Sequence, residues 1–198
     1  MNILITGGAG YIGSLLCGYL LDKGHKVTVL DTFLFSNDSL NSYMVNKNFE
    51  VYQEDVRNIN SIKKYLKNND IVIPLACLVG APLCNLKETE AEEVNYQAIK
   101  SLVDNLSKDQ FIIYPTTNSG YGIGEKDKFC TEETPLNPIS VYGKTKVNSE
   151  KYIAENFDNS TRLRLATVFG CSPRMRLDLL VNDFVFRATK DRFIVLFE

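Results

Sequence analysis

The stretch NILITGGAGYIG, Asn2 to Gly13, decides the fold of this 198-residue chain. Its first half, Asn2 to Thr6, is an apolar run of the kind that forms a buried strand. Its second half spaces three glycines as GxxGxxG at Gly7, Gly10 and Gly13. From Tyr11 to Lys23 apolar residues recur at helical spacing (Ile12, Leu15, Leu16, Tyr19, Leu20), and Gly24 stops the helix. Each glycine answers its own demand. Gly7 permits a tight turn off the strand. Gly10 presents no Cβ, so backbone can approach a pyrophosphate. Gly13 lets the helix pack close to the sheet. The helix start adds free N–H groups and the positive end of its dipole. Glycine-rich turns are common, but one that leaves a strand and opens a helix has the context of a dinucleotide-binding motif. A tight turn without a ligand is the weaker reading.

Working outward, short apolar runs alternate with longer amphipathic ones. Strands are predicted at Lys26–Leu30, Phe49–Val56, Ile71–Ala76, Phe111–Thr117 and Thr161–Phe169, with the start of another at Phe193–Phe197. Helices are predicted at Asp38–Asn46, Ile59–Leu66, Glu88–Leu106, Pro138–Phe157 and Leu177–Lys190. Strand then helix, repeated, specifies a parallel sheet with helices on both faces, and right-handed crossovers leave an α/β doubly wound sheet, a Rossmann fold. A closed eight-stranded barrel needs about 250 residues and does not fit.

The second predicted strand leads into Asp31. A carboxylate there accepts hydrogen bonds from adenosine-ribose hydroxyls and repels a 2′-phosphate, which favours NAD over NADP. No Arg or Lys occurs between Asp31 and Val45 to hold that phosphate. A turn cap is the plainer alternative for Asp31. Asp55 and Val56, ending strand three, are placed to reach the adenine, although an ordinary strand-to-helix turn uses such a carboxylate equally well.

Composition removes other classes. A 44% hydrophobic, 23% charged chain of net charge −2 is globular and gives no electrostatic reason to expect nucleic acid or an anionic membrane as partner. Five scattered cysteines without a CxxC pair point to reduced thiols, and His25 as the only histidine removes Ser-His-Asp, Cys-His and multi-histidine metal sites. No metal site is expected. The longest apolar run, Ile71 to Cys84, falls short of the ~18 residues of a membrane span and is broken by Pro74 and Pro82. The start lacks the pattern of a signal peptide, so a cytoplasmic location is expected.

In Tyr142-Gly143-Lys144-Thr145-Lys146, Tyr142 and Lys146 stand at i and i+4 and share one helix face. A phenol titrates near 10, too high for a base at neutral pH. A neighbouring ammonium lowers that value and a cationic nicotinamide adds to the effect. Tyr142 then exchanges a proton with a substrate hydroxyl while hydride moves to or from the cofactor, and Lys146 also donates to the nicotinamide ribose. YxxxK alone describes many solvated helix faces. Its weight comes from following GxxGxxG in an α/β pattern.

Together, TGGAGYIG (Thr6 to Gly13), Asp31, Asp55-Val56, Leu75-Ala76, Asn95, TTNSGYG (Thr116 to Gly122), PISVYGKTK (Pro138 to Lys146) and RLATVFG (Arg164 to Gly170) resemble the extended short-chain dehydrogenases/reductases, in particular their NAD-dependent nucleotide-sugar epimerase/dehydratase group. The resemblance spans nearly the whole chain. It implies an NAD-binding domain over residues 1–170 and, from 171 to 198, the start of a lobe that holds a UDP-, GDP- or dTDP-linked sugar. It implies that Tyr11 and Ile12 lie beside the pyrophosphate, that Asp31 to Ser36 line the adenosine ribose, and that Leu75, Ala76 and Asn95 lie along the cofactor. Thr117 matches the Ser/Thr that hydrogen-bonds the reacting hydroxyl, Tyr142 the acid–base residue and Lys146 its partner. The resemblance also implies homodimers through the helices carrying Tyr142 and Glu88–Leu106.

Three departures sharpen this. Asn118-Ser119 stand where 4,6-dehydratases of the group carry Asp-Glu, so dehydration is discounted. Thr167 stands where many members place a substrate-contacting Asn. Asn118, Ser119 and Thr167 therefore remain candidate substrate contacts without naming the sugar. Family members also run well beyond this length, so a truncated product or fragment is expected. Arg174 and Arg176 suit a diphosphate or, more plainly, an exposed helix start. The expected activity is hydride transfer at C4 of a nucleotide sugar, as an epimerase. The alternatives are a 4-dehydrogenase or ketoreductase, or an NAD-binding module without sugar turnover.

Overall fold

In a computed structural model that describes residues 1–35, 38–124 and 129–196, six strands form one parallel sheet. They are β1 (Asn2–Thr6), β2 (Lys26–Asp31), β3 (Phe49–Gln53), β4 (Ile71–Pro74), β5 (Phe111–Thr117) and β6 (Ser160–Leu165), in the order β3-β2-β1-β4-β5-β6. The helices are α1 (Tyr11–Asp22), α2 (Ile59–Leu66), α3 (Ala81–Leu86), α4 (Glu88–Glu92), α5 (Ala98–Val103), α6 (Val141–Asn156) and α7 (Leu180–Lys190).

Alternation along β1 explains why both faces are covered. Ile3 and Ile5 enter one core with Cys17, Leu21, Val27, Val29 and Ile73, under α1. Leu4 points the other way into a second core with Ile62, Leu102, Ile112, Tyr114 and Ile153, under α2, α5 and α6. The order reverses between β1 and β4, the switch point at whose carboxyl ends doubly wound sheets bind their ligands. Pairing of β4 with β5 ends at Val72–Ile112, whereas β5 and β6 stay paired to Thr117–Leu165. Pro74 has no N–H to extend the β4 ladder.

Several boundaries differ from expectation, each for a local reason. Between Asp38 and Asn46 only a 3₁₀ turn forms, at Asn41–Tyr43, where Leu40 is buried in the core and Tyr43 packs against its edge. Strands three, four and six stop at Gln53, Pro74 and Leu165, where the chain leaves the ladder for the crevice rim. An unpredicted helix, α3, begins after Gly80 with Pro82 in its first turn. The predicted Glu88–Leu106 helix is α4 and α5 joined by a π-helical turn at Glu93–Gln97. Helix α6 starts at Val141 rather than Pro138: Ser140 is its cap, accepting from Gly143 N at 3.1 Å. Residues 193–196 are exposed and form no strand, since nothing offers them a ladder. Phe197 lies outside the described residues.

Candidate active site

The glycine turn follows β1 directly. Gly7 has φ +72, and a Cβ on it would lie 2.5 Å from Ala76 N, so only glycine permits both the turn and the close approach of the β4 loop. A Cβ on Gly13 would strike Gly8 Cα at 2.6 Å, so this glycine packs the helix against the turn itself rather than the sheet. At Gly10 a Cβ would meet only Gly7 O, at 3.1 Å, and the space beyond is open. Helix α1 then starts at Tyr11 with no side-chain cap and no acidic residue in its first turn. An open glycine face below an uncapped helix end fits a diphosphate. Ile12 is exposed on that first turn.

On the adenosine side, Asp31 is committed in part to the protein. Its carboxylate accepts from Ala9 N at 2.9 Å and from Phe33 N at 2.8 Å. It therefore braces the glycine turn and holds Phe33 at φ 57, a conformation uncommon outside glycine. Ser36 lies outside the described residues. Asp55 pairs with Arg57 at 2.6 Å, and that guanidinium holds its carboxyl below the usual range. Val56 is buried against Val94, Ala98 and Ala76.

The opposite corner is built from side chains. Thr117 ends β5, and its hydroxyl accepts from Ser119 N at 3.2 Å. Asn118 and Ser119 are exposed on the turn that follows. Gly143 lets α6 sit against that turn, since a Cβ there would lie 3.1 Å from Ser119 O. Tyr142 and Lys146 share the inward face of α6. The Lys146 ammonium, 5% exposed with its residue, rests 4.1 Å from the centroid of the Tyr114 ring. Desolvation pulls Lys146 down, but the acidic groups of Tyr114, Cys77 and Tyr142 around it prevail and raise it. At Tyr142 the expected effect of Lys146 is present but opposed. Its phenol is pushed up to about 12, first by burial and then by Cys77; Lys146 and the Thr117 hydroxyl lower it but do not win.

Three further placements matter. Asn95, 1% exposed, spends its amide on Leu78 N (2.8 Å) and Leu78 O (3.0 Å), fixing the loop after Leu75 and Ala76. Thr167 is exposed beyond β6. Arg176 pairs with Asp178, and Arg174 lies 5.3 Å from the Phe35 ring centroid, so each already has a partner within the chain.

Sequence reasoning missed Tyr114, Cys77 and Asn182. Tyr114 left one trace, a lone hydroxyl inside an otherwise apolar strand. Cys77 and Asn182 left none. Asn182 donates to Tyr11 Oη at 3.0 Å and Arg176 O at 2.9 Å, and accepts from Gly170 N at 2.9 Å. Ser172 adds a bond to Tyr11 O at 2.6 Å, so the segment after β6 is tied to the start of α1.

Residues 3–192 match the family model described as NAD-dependent epimerase/dehydratase family. The chain is 30% identical to a protein of Bacillus subtilis named as an uncharacterized UDP-glucose epimerase, YtcB, over 100% of this chain and 65% of that one. It is 32% identical to the UDP-glucose 4-epimerase of Lactobacillus helveticus over 87% of this chain and 53% of that one. Among solved structures, the UDP-glucuronic acid 4-epimerase of Bacillus cereus, crystallised with UDP-glucuronic acid and NAD, superposes with TM-score 0.82 at 29% identity, covering 96% of this chain and 64% of that one. The chain thus spans between about half and two thirds of the length of these relatives. With a glycine turn, a 3-2-1-4-5-6 sheet and a match along nearly its whole length, the chain belongs to the NAD-dependent epimerase/dehydratase family.

Proposed function

We propose that the protein is an NAD-dependent nucleotide-sugar epimerase acting at C4 of a nucleotide-diphospho-sugar, with residues 1–170 holding NAD and 171–198 beginning the sugar-nucleotide lobe. The uncapped start of α1, at Tyr11 and Ile12, receives the diphosphate over Gly7, Gly10 and Gly13. The free lone pairs of Asp31 take the adenosine ribose, Asp55 and Val56 flank the adenine, and Leu75 and Ala76 border the cofactor. Asn95 acts through the loop it anchors. Bound there, NAD would supply a reversible hydride acceptor for the sugar carbon.

The residues of this chain handle the proton. Thr117 orients the reacting hydroxyl, and Tyr142 takes its proton and gives it back. Lys146 holds a positive charge beside the phenol and binds the nicotinamide ribose. Because burial keeps Tyr142 protonated in the free protein, positive charge beyond Lys146 is needed to make it a base at neutral pH. Asn118, Ser119 and Thr167 line the sugar side. Two copies pair through α6 and the α4–α5 helix, which sizing chromatography checks.

One observation supports this reading: the Tyr142 phenol reaches the Thr117 hydroxyl at the end of β5 and feels the Lys146 ammonium one turn along α6. The test is NAD titration by calorimetry, then incubation with UDP-, GDP- and dTDP-linked hexoses, resolving C4 epimers by chromatography and following NADH absorbance. Epimer interconversion without net NADH is expected. Net NADH release replaces the epimerase with a 4-dehydrogenase. NAD binding without sugar turnover leaves only a binding module, and failure to bind NAD overturns the reading.

A further inference from the structure

The loop after β4 brings two thiols to one carbonyl. Cys77 and Cys84 both donate to Leu78 O, at 3.2 and 3.3 Å, so their sulfurs lie no farther apart than those two contacts laid end to end. Between them Gly80 has φ +93, a hinge conformation that glycine adopts without strain. Cys84 is fully buried on α3, and Cys77 is half-buried. Neither is used by the chemistry above.

This pair is wired to the candidate site. Asn95 Nδ2 donates to the same Leu78 O and reaches Cys84 Sγ at 4.0 Å and Thr145 Oγ1 at 3.4 Å. Thr145 Oγ1 donates in turn to Tyr142 O at 3.0 Å. On the other side, Cys77 follows Ala76, against which Gly7 is packed.

We propose that Cys77 and Cys84 form a reversible disulfide whose closure weakens NAD binding. The oxidant is a low-molecular-weight disulfide. The Cys77 thiolate attacks it, forming a mixed disulfide and expelling one thiolate. The Cys84 thiolate then attacks the Cys77 sulfur and expels the second. Two protein thiols are oxidised, one small disulfide is reduced to two thiols, and the two protein protons pass to the leaving thiolates. Closing the S–S bond to about 2.0 Å bends the loop at Gly80 and removes both thiol donors from Leu78 O. The loop that borders Gly7 and is held by Asn95 then shifts. Burial pushes Cys84 up to about 11 and also raises Cys77, although Lys146 counters the latter. Few thiolates are therefore present at neutral pH, and the pair answers sustained oxidising conditions rather than a brief pulse.

The disulfide is independent of the proposed function, whereas its effect on NAD rests on that reading. The test uses the full chain in graded glutathione and glutathione disulfide buffers, alkylated and digested with trypsin without reduction. Both cysteines fall in one tryptic peptide, Asn68 to Lys87, so closure reads as loss of two hydrogens with no alkylation. Closure reversed by dithiothreitol is expected, with Cys84→Ser stalling at a mixed disulfide on Cys77. NAD affinity of the closed form is expected to fall about fivefold or more, a fall that dithiothreitol reverses and that Cys77→Ser, which cannot close, does not show. If the peptide stays doubly alkylated while exposed Cys130 becomes glutathionylated, the pair is overturned. Closure with unchanged NAD affinity overturns the coupling alone. Closure in a protein that binds no NAD when reduced overturns the proposed function and leaves the disulfide standing.

Discussion

The two ends of the crevice are built from different materials. At the β1 end, the turn from Gly7 to Gly13 is shaped by what glycine lacks and by an uncapped helix start. At the β5 end, the corner is crowded with buried polar side chains: an ammonium on the Tyr114 ring, a phenol pushed up to about 12, and a Thr116 hydroxyl with no hydrogen-bond partner among the described residues. Backbone that points at a ligand costs little to keep in place. Buried, partly satisfied polar groups cost stability and are held by the packing around them. Binding should therefore fail separately from chemistry.

Tyr142→Phe is the severest test of that separation. Turnover should fall by about 10³-fold, within the range for loss of an acid–base group, while NAD affinity measured by calorimetry stays within about twofold. A parallel loss of both would merge the two ends into one unit. Arg164→Met comes next. Arg164 donates to Glu150 at 2.7 and 2.9 Å, to Tyr121 Oη at 3.0 Å and to Glu132 O at 2.9 Å, and Glu150 Oε2 has no partner among the described residues. Removing the guanidinium leaves a buried carboxylate unpaired and should cost about 3 kcal/mol in denaturant unfolding. A change below about 1 kcal/mol would mean that the corner is not held this way.

Gly7→Ala attacks the opposite end. The positive φ alone should cost about 1–3 kcal/mol, and the clash with Ala76 should displace the turn, so NAD affinity falls while the Tyr142 titration is unmoved. The mildest test is that titration itself, by ultraviolet difference spectra against Tyr142→Phe. The NAD-free phenol should ionise near pH 12 rather than at the ordinary value of about 10, because burial disfavours the phenolate. Since its value is raised in the fold, its share of stability is complete below about pH 10 and drains away as pH climbs towards 12. A midpoint at or below about 10 would show that Lys146 outweighs burial without help.

Much of the first end could be read from residues alone, because a glycine turn is a local demand. Gly7 needs its φ whatever surrounds it, and the Ile3-Leu4-Ile5 run announces a strand covered on both faces. The YxxxK pair was also legible, since i and i+4 share a face on any helix. Its titration was not. The value at Tyr142 depends on Cys77, which arrives from β4, and on burial that no local pattern encodes. Asn95 looked like a cofactor contact, yet its amide goes to Leu78, a bond made possible by a π-helical turn that periodicity does not reveal. The helix expected at Asp38–Asn46 failed for the complementary reason: Leu40 and Tyr43 are only three residues apart, and one turn is enough to seat both.

The bond between Asn182 and Tyr11 spans 171 positions of sequence. A ribosome makes the glycine turn first and the residue that braces its helix 171 positions later. During synthesis the nascent turn therefore waits for its brace until residue 182 has emerged. Contacts this distant slow folding. Translation that stalls before residue 182 should leave a product with its strands assembled and its first helix loosely seated.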